Sequence, residues 1–175
     1  MHKTSFPTTS SLFLKFCIVL LLTVSSLVPY VKGSRLIHSY KHLEGDVRWR
    51  RLFSATHYFL SIERSGQVRG TQRFTSNSVF HVYSVSIGVV AMHSAGTGLY
   101  VAMDRTGKVY GAKEFSPNCE FQERIEENGY NTYSSVKWRH KGHFMYLAIR
   151  RNGFLRLGSR TRHTHYSTHF LPLTI

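Results

Sequence analysis

MYLAIRRNGFLRLGS, Met145 to Ser159, is the last of three related stretches in this chain. The earlier ones are YFLSIERSGQVRGT, Tyr58 to Thr71, and LYVAMDRTGKVYGA, Leu99 to Ala112. Gly66, Gly107 and Gly153 fall 41 and 46 residues apart, and Phe59, Tyr100 and Tyr146 keep the same intervals, as do Val68, Val109 and Leu155. In each copy apolar residues alternate with polar or small ones: Leu60 and Ile62, Val101 and Met103, Leu147 and Ile149. A two-residue period places them on one face of a strand. Ser65-Gly66, Thr106-Gly107 and Asn152-Gly153 then supply glycines able to hold the positive φ of a tight hairpin turn. Each copy therefore reads as a strand, a turn and the start of a second strand.

Three such units cannot bury their apolar faces separately, so they must share one core. Propeller blades have a similar period, but propellers use four or more of them. A closed barrel with three hairpin caps, the β-trefoil, accommodates three copies. Between the copies, Ser78 to Met92 reads as two strands, Cys119 to Ile125 as one, and Asn131 to His140 as another. No long amphipathic helix is expected, which excludes α/β enzyme folds.

The chain has 175 residues, 42% hydrophobic and 14% aromatic, enough for one domain with a true core. Phe16 to Val31 is free of charge and ends before Lys32-Gly33-Ser34, the pattern of a secretory signal cut after Gly33. At 16 residues the run is short for a membrane span, which needs about 20. The expected organisation is a signal peptide over 1–33, a flexible arm over 34–45 and the β-trefoil domain over 46–175, secreted and without membrane insertion after cleavage. Removal of Cys17 would leave Cys119 without an intramolecular partner, as a small buried apolar residue.

The formal charge of +14 calls for an anionic partner. No acidic residue follows Glu127, whereas Arg150, Arg151, Arg156, Arg160 and Arg162 crowd the third hairpin and the loop after it. Arginine presents a planar fork suited to sulfate or phosphate. Nucleic acid is one candidate polyanion, but zinc-finger spacing, a basic helix and an RRM motif are all missing from the sequence. A secreted chain meets sulfated glycosaminoglycan instead. His163-x-His165 and His140-x-x-His143 lack a neighbouring Cys, Asp or Glu to complete a metal site. They are expected to extend the basic face. No nucleophile stands with a positioned base, so no catalytic residue, metal or cofactor is assigned. The remaining candidate is a contact surface at Glu123 to Tyr133, acidic and then aromatic, with packing beneath a loop as the competing role for Tyr130 and Tyr133.

These last residues, ERIEENGYNTY, resemble a signature of the fibroblast growth factors. GDVRWRRLF (Gly45 to Phe53), YVAM (Tyr100 to Met103), YGAKEF (Tyr110 to Phe115) and FLPL (Phe170 to Leu173) agree with it. DVRWR with IEENGYNTY is similar to the keratinocyte-growth-factor-like subfamily, the factors seven, ten and twenty-two. The resemblance implies a growth factor and mitogen that binds heparan sulfate as co-receptor and a receptor tyrosine kinase, here the b-type splice forms of fibroblast growth factor receptors one and two. Carried onto this sequence, Phe53, Glu123, Tyr130, Asn131, Leu171 and Leu173 would face the receptor. Asp46, Arg48, Arg124 and Glu126 would serve splice-form choice, and the five late arginines would hold heparan sulfate proteoglycan. His163-Thr164-His165-Tyr166 stands where relatives are more basic, which implies weaker or more pH-dependent heparan sulfate binding. The alternative is a heparin- or polyanion-binding β-trefoil without receptor-activating function.

Overall fold

The computed structural model describes residues 48–175. The expected signal peptide, the arm and Asp46 lie outside the described residues. Eleven strands follow in order: β1 (Arg48–Ser54), β2 (Phe59–Ile62), β3 (Val68–Thr71), β4 (Phe80–Ser86), β5 (Val89–Ser94), β6 (Tyr100–Met103), β7 (Val109–Ala112), β8 (Phe121–Ile125), β9 (Asn131–His140), β10 (His143–Tyr146) and β11 (Phe170–Thr174). Among the described residues, helical structure is confined to short 3-10 turns such as Pro117–Cys119 and Gly158–Arg160.

The pairings close on themselves. β1 pairs β4, β4 pairs β5, β5 pairs β8, β8 pairs β9, β9 pairs β11, and β11 returns to β1, every pair antiparallel. A closed ring of strands leaves no barrel edge open to another chain. The hairpins β2–β3 and β6–β7 attach to this ring through β1 and β5. Leu52, Leu60, Ile62, Phe80, Val101, Met103, Phe121, Tyr133, Leu147, Ile149 and Phe170 share one cluster of fully buried side chains. Each repeat contributes its alternating pair to that cluster, as the spacing requires. Full burial of each large aliphatic side chain contributes about 1.5–3 kcal/mol. The arrangement is consistent with a β-trefoil.

Three hydrogen bonds tie the hairpins to one another in a cycle. The amide of Gly111 donates to the carbonyl of Gly66 at 2.8 Å, that of Gly158 to Gly107 at 2.7 Å, and that of Gly70 to Gly153 at 2.7 Å. The three acceptors are the expected turn glycines, all at positive φ. The three donors are the glycines that end each repeat. They are glycines for lack of room: a Cβ on Gly158 would lie 2.9 Å from Met103 Sδ, and one on Gly111 2.8 Å from Ile62 Cγ2.

The structure departs from the sequence reading at three places. The third hairpin keeps its turn but only the Ile149–Leu155 bridge of its ladder, where the other two hairpins have four pairs each. Gly158 follows Gly153 by five positions, against four for the corresponding glycines of the earlier copies. One extra residue shifts the alternation, so the return strand stops after Leu155 and Leu157 turns outward, 37% exposed. Second, the face expected to be polar is covered as well: Ser61 is 5% exposed and Ala102 and Ala148 are fully buried. Third, β8 starts at Phe121, and Cys119 instead closes a 3-10 turn, free and buried.

Candidate functional site

The third hairpin and the loop after it form the walls of an open cleft of about 680 Å³. Arg150, Arg151, Arg156 and Arg160 line it together with Thr56, Thr164, His165, Tyr166 and Ser167. The backbone sets the arginines in place. Arg150 donates its amide to Phe154 O across the turn, Arg156 donates to Ala148 O beyond the bridge, and Arg160 ends the Gly158–Arg160 turn. Tyr58 Oη donates to the Arg151 carbonyl at 3.2 Å, and Thr56 Oγ1 to the Ile149 carbonyl at 3.0 Å, fixing the hairpin to the first repeat. Among the described residues no carboxylate lines the cleft. Arg162 lies on the other side of the same loop and lines a neighbouring cleft of about 830 Å³. The threonine, serine and tyrosine contributors carried no sequence signal, because only the fold brings residue 56 to residues 164–167.

His165 stands between the two clefts and lines both. Its Nδ1 accepts from the Arg162 amide at 3.2 Å and faces Arg156 Nη1 at 3.4 Å. Both neighbours are donors, so Nδ1 must carry a lone pair. Burial, then Arg156 and Arg162, push this imidazole below its ordinary range, so it is neutral at pH 7.

The residues expected to face a receptor divide into two groups. Phe53 and Leu171 are direct partners across β1 and β11, with Leu173 two residues on at the exposed end. Phe53 meets Phe59 at 4.8 Å, and Phe59 meets Phe74 at 4.9 Å. Phe74 is 72% exposed under the Arg51 guanidinium, 5.1 Å from its ring centroid. The apolar patch therefore reaches a segment whose sequence offered no assignment. The second group is polar and inward. Glu123 Oε1 accepts from Tyr133 Oη at 2.9 Å and from Asn131 Nδ2 at 3.0 Å, while Oε2 lies 3.4 Å from Arg48 Nη2. Burial, then the Glu123 carboxylate, push the Tyr133 hydroxyl above its ordinary range, so it remains a donor. Tyr133 is fully buried, which settles its competing roles in favour of packing. Asn131 is also buried, Arg124 is exposed, and Glu126 accepts from Thr132 Oγ1 at 2.7 Å.

One residue joins this face to the basic loop. His169 stacks on half-buried Tyr130 with ring centroids 5.8 Å apart. Its Nε2 donates to the His163 carbonyl at 2.7 Å, and its Nδ1 lies 3.2 Å from Asn128 Nδ2. Asn128 Oδ1 accepts from the Tyr130 amide, which orients the asparagine so that Nδ2 donates to the ring. Replacing His169 with Phe keeps a ring for stacking but leaves the His163 carbonyl and the Asn128 amide without that partner. The expected loss is that of ordinary hydrogen bonds to partly solvated groups, about 0.5–1.5 kcal/mol each, measured by denaturant unfolding. His169→Gln supplies an amide donor and acceptor and is expected to lose less. Equal losses for Phe and Gln would show that the hydrogen bonds contribute nothing.

Open clefts walled by cations, together with an exposed apolar patch, are the surfaces of a binding protein. Among the described residues no group of three or more His, Cys, Asp or Glu could hold a metal ion, and no helix is long and apolar enough to cross a membrane. A family model described as Fibroblast growth factor matches residues 48–171. The chain is 52% identical over 137 residues to fibroblast growth factor 22 of Mus musculus, covering 78% of this chain and 85% of that one. It is 53% identical over 144 residues to fibroblast growth factor 10 of Mus musculus, covering 82% and 69%. It is 40% identical over 143 residues to fibroblast growth factor 7 of Homo sapiens, covering 81% and 74%. The chain belongs to the fibroblast growth factor family. Its members are growth factors, signalling ligands rather than enzymes.

Proposed function

We propose that this chain is a secreted β-trefoil growth factor. It binds heparan sulfate through Arg150, Arg151, Arg156 and Arg160, with Arg162 alongside, and activates the b-type splice form of fibroblast growth factor receptors one and two. The leader over 1–33 directs secretion, and the folded unit runs over 46–175 behind the arm at 34–45. The observation that carries this reading is the cleft where four arginines converge without a carboxylate. The apolar run Phe53, Phe59, Phe74 with Leu171 and Leu173 supports a receptor surface of the usual kind, an apolar centre with charged rims. Glu123, braced from within by Asn131 and Tyr133 and from the side by Arg48, presents a preorganised carboxylate to the same receptor, and Asp46, Arg124 and Glu126 serve splice-form choice. One sulfated chain gripping ligand and receptor together raises the affinity of both contacts through effective concentration.

The test is proliferation of cells carrying a single receptor splice form, with and without added heparin. Growth is expected with the b-type form, stronger with heparin, and absent with the alternative splice form. Tyr130→Ala, which removes the ring on His169, is expected to weaken receptor binding by 2 kcal/mol or more, roughly 30-fold, and to leave heparin elution unchanged. Heparin binding without growth through any splice form would leave only the polyanion-binding reading.

A further inference from the structure

The larger cleft, about 830 Å³, lies between the turn joining β9 to β10 and the loop over 159–165. His140 and His143 line it from the turn, and Arg160, Arg162, His163 and His165 from the loop. It shares Arg160, Thr164 and His165 with the arginine cleft, so the two are continuous around the loop. Both lie within the range of about 300–1,000 Å³ in which ligand sites fall. Resting on the heparan sulfate reading above, we propose that this histidine-lined cleft is a second sulfate subsite of the same polysaccharide chain, filled on acidification.

The charges around it favour an anion over any cation. Arg139 stacks on Phe144 at 3.9 Å on the turn side, and Lys141 sits at the turn itself. Arg156 stands behind His165. Glu126 is the carboxylate whose field reaches the cleft, felt at Tyr146, where Arg124 and Arg139 oppose it. Glu126 is also engaged by Thr132. His165 Nδ1 is taken up by its two donors, which leaves the exposed imidazoles of His140, His143 and His163 to meet a ligand in the cleft.

Histidine is the side chain whose charge changes within about pH 5 to 8. Protonated imidazoles beside Arg160 and Arg162 repel one another while the cleft is empty. A bound sulfate removes that repulsion, so proton and sulfate each favour the other. The sign follows: sugar affinity gained in this cleft is absent at pH 7.5 and appears as pH falls. At pH 7.5 the chain is held by the arginine cleft alone. On acidification it extends past Arg160 over His163 to the turn.

The test is titration of the full secreted chain with size-defined heparin oligosaccharide at pH 7.5 and 5.5. Wild type is expected to bind about tenfold more tightly at pH 5.5, the worth of one charge-assisted hydrogen bond. The triple variant His140→Gln, His143→Gln, His163→Gln is expected to match wild type at pH 7.5 and to lose the gain. His57→Asn, at an exposed histidine outside the cleft, is expected to keep it, which separates a site from general charge. Arg150→Ser with Arg156→Ser is expected to weaken binding at both pH values while retaining an acid gain. A triple-glutamine variant that gains affinity like wild type, or a His57→Asn chain that loses the gain, overturns the subsite. An arginine variant that binds like wild type at pH 7.5 overturns instead the arginine reading on which it rests.

Discussion

Gly107→Val is expected to abolish the native fold or to leave it on the edge of unfolding. Gly107 sits at φ +86°, where a β-branched residue is strained by about 1–3 kcal/mol. A Cβ there would lie 2.6 Å from Ser159 N and 2.7 Å from Gly158 N. Both contacts are backbone, so no side-chain rotation relieves them. Overpacking of this kind costs about 1–3 kcal/mol more. The clash also forces apart the 2.7 Å bond from the Gly158 amide to the Gly107 carbonyl, leaving two buried groups unpaired at about 1–3 kcal/mol. A sum on the order of 3–9 kcal/mol rivals the roughly 5–15 kcal/mol of a whole domain. Gly98→Val is the matched comparison. Gly98 also has positive φ, at +68°, but a Cβ there would meet nothing within 4 Å. Denaturant unfolding should show Gly98→Val losing only the backbone-strain part. Equal losses at the two positions would mean that the hairpin cycle does not hold the barrel.

That cycle also marks how far the sequence could be read. The turn glycines Gly66, Gly107 and Gly153 were legible because a two-residue hairpin signal is local. Gly70, Gly111 and Gly158 stand in the same quoted stretches, yet their role was invisible. Each bonds a turn in a different repeat, and no spacing within one repeat encodes that partner. The truncated third ladder was written in a single extra residue between Gly153 and Gly158, a change that alters which face every later side chain takes. The site divides along the same line. The absence of acids after Glu127 exposed the basic face, because charge needs no partner to be counted. The structure then separates Arg162 from the other four, since a loop doubling back puts neighbours in sequence on opposite sides of a wall. Asn131 and Glu123 read as surface residues and Tyr133 stood open between surface and packing, but β9 carries Tyr133 and Asn131 inward, where Glu123 receives both. His169 had no signal at all, because both of its hydrogen-bond partners, residues 128 and 163, are remote from it in the chain.

Replacing Arg150, Arg156 and Arg160 with serine is expected to shift elution from heparin resin to much lower salt while leaving stability nearly intact. The three guanidinium groups converge on one open cleft, and among the described residues no carboxylate lines it to neutralise them. Each can offer a sulfate a charge-assisted fork, which solvent screening reduces to about 0.5–1 kcal/mol per arginine. Three together give about 1.5–3 kcal/mol, a loss of roughly 10- to 100-fold in affinity. The fold should survive because the backbone, not the guanidinium groups, builds the hairpin: the Arg150–Phe154 and Arg156–Ala148 bonds are main-chain bonds that serine retains. Arg156 also faces His165, but burial is the larger cause of that imidazole's lowered range, so the loss of Arg156 relieves it only in part. Arg162→Ser, lining the adjoining cleft, is expected to shift elution less at pH 7.5 than any one of the three. If the triple variant elutes at the wild-type salt, the sulfated chain lies elsewhere on the barrel. If Arg162→Ser alone reproduces the loss, the histidine-lined side is the main site rather than its extension.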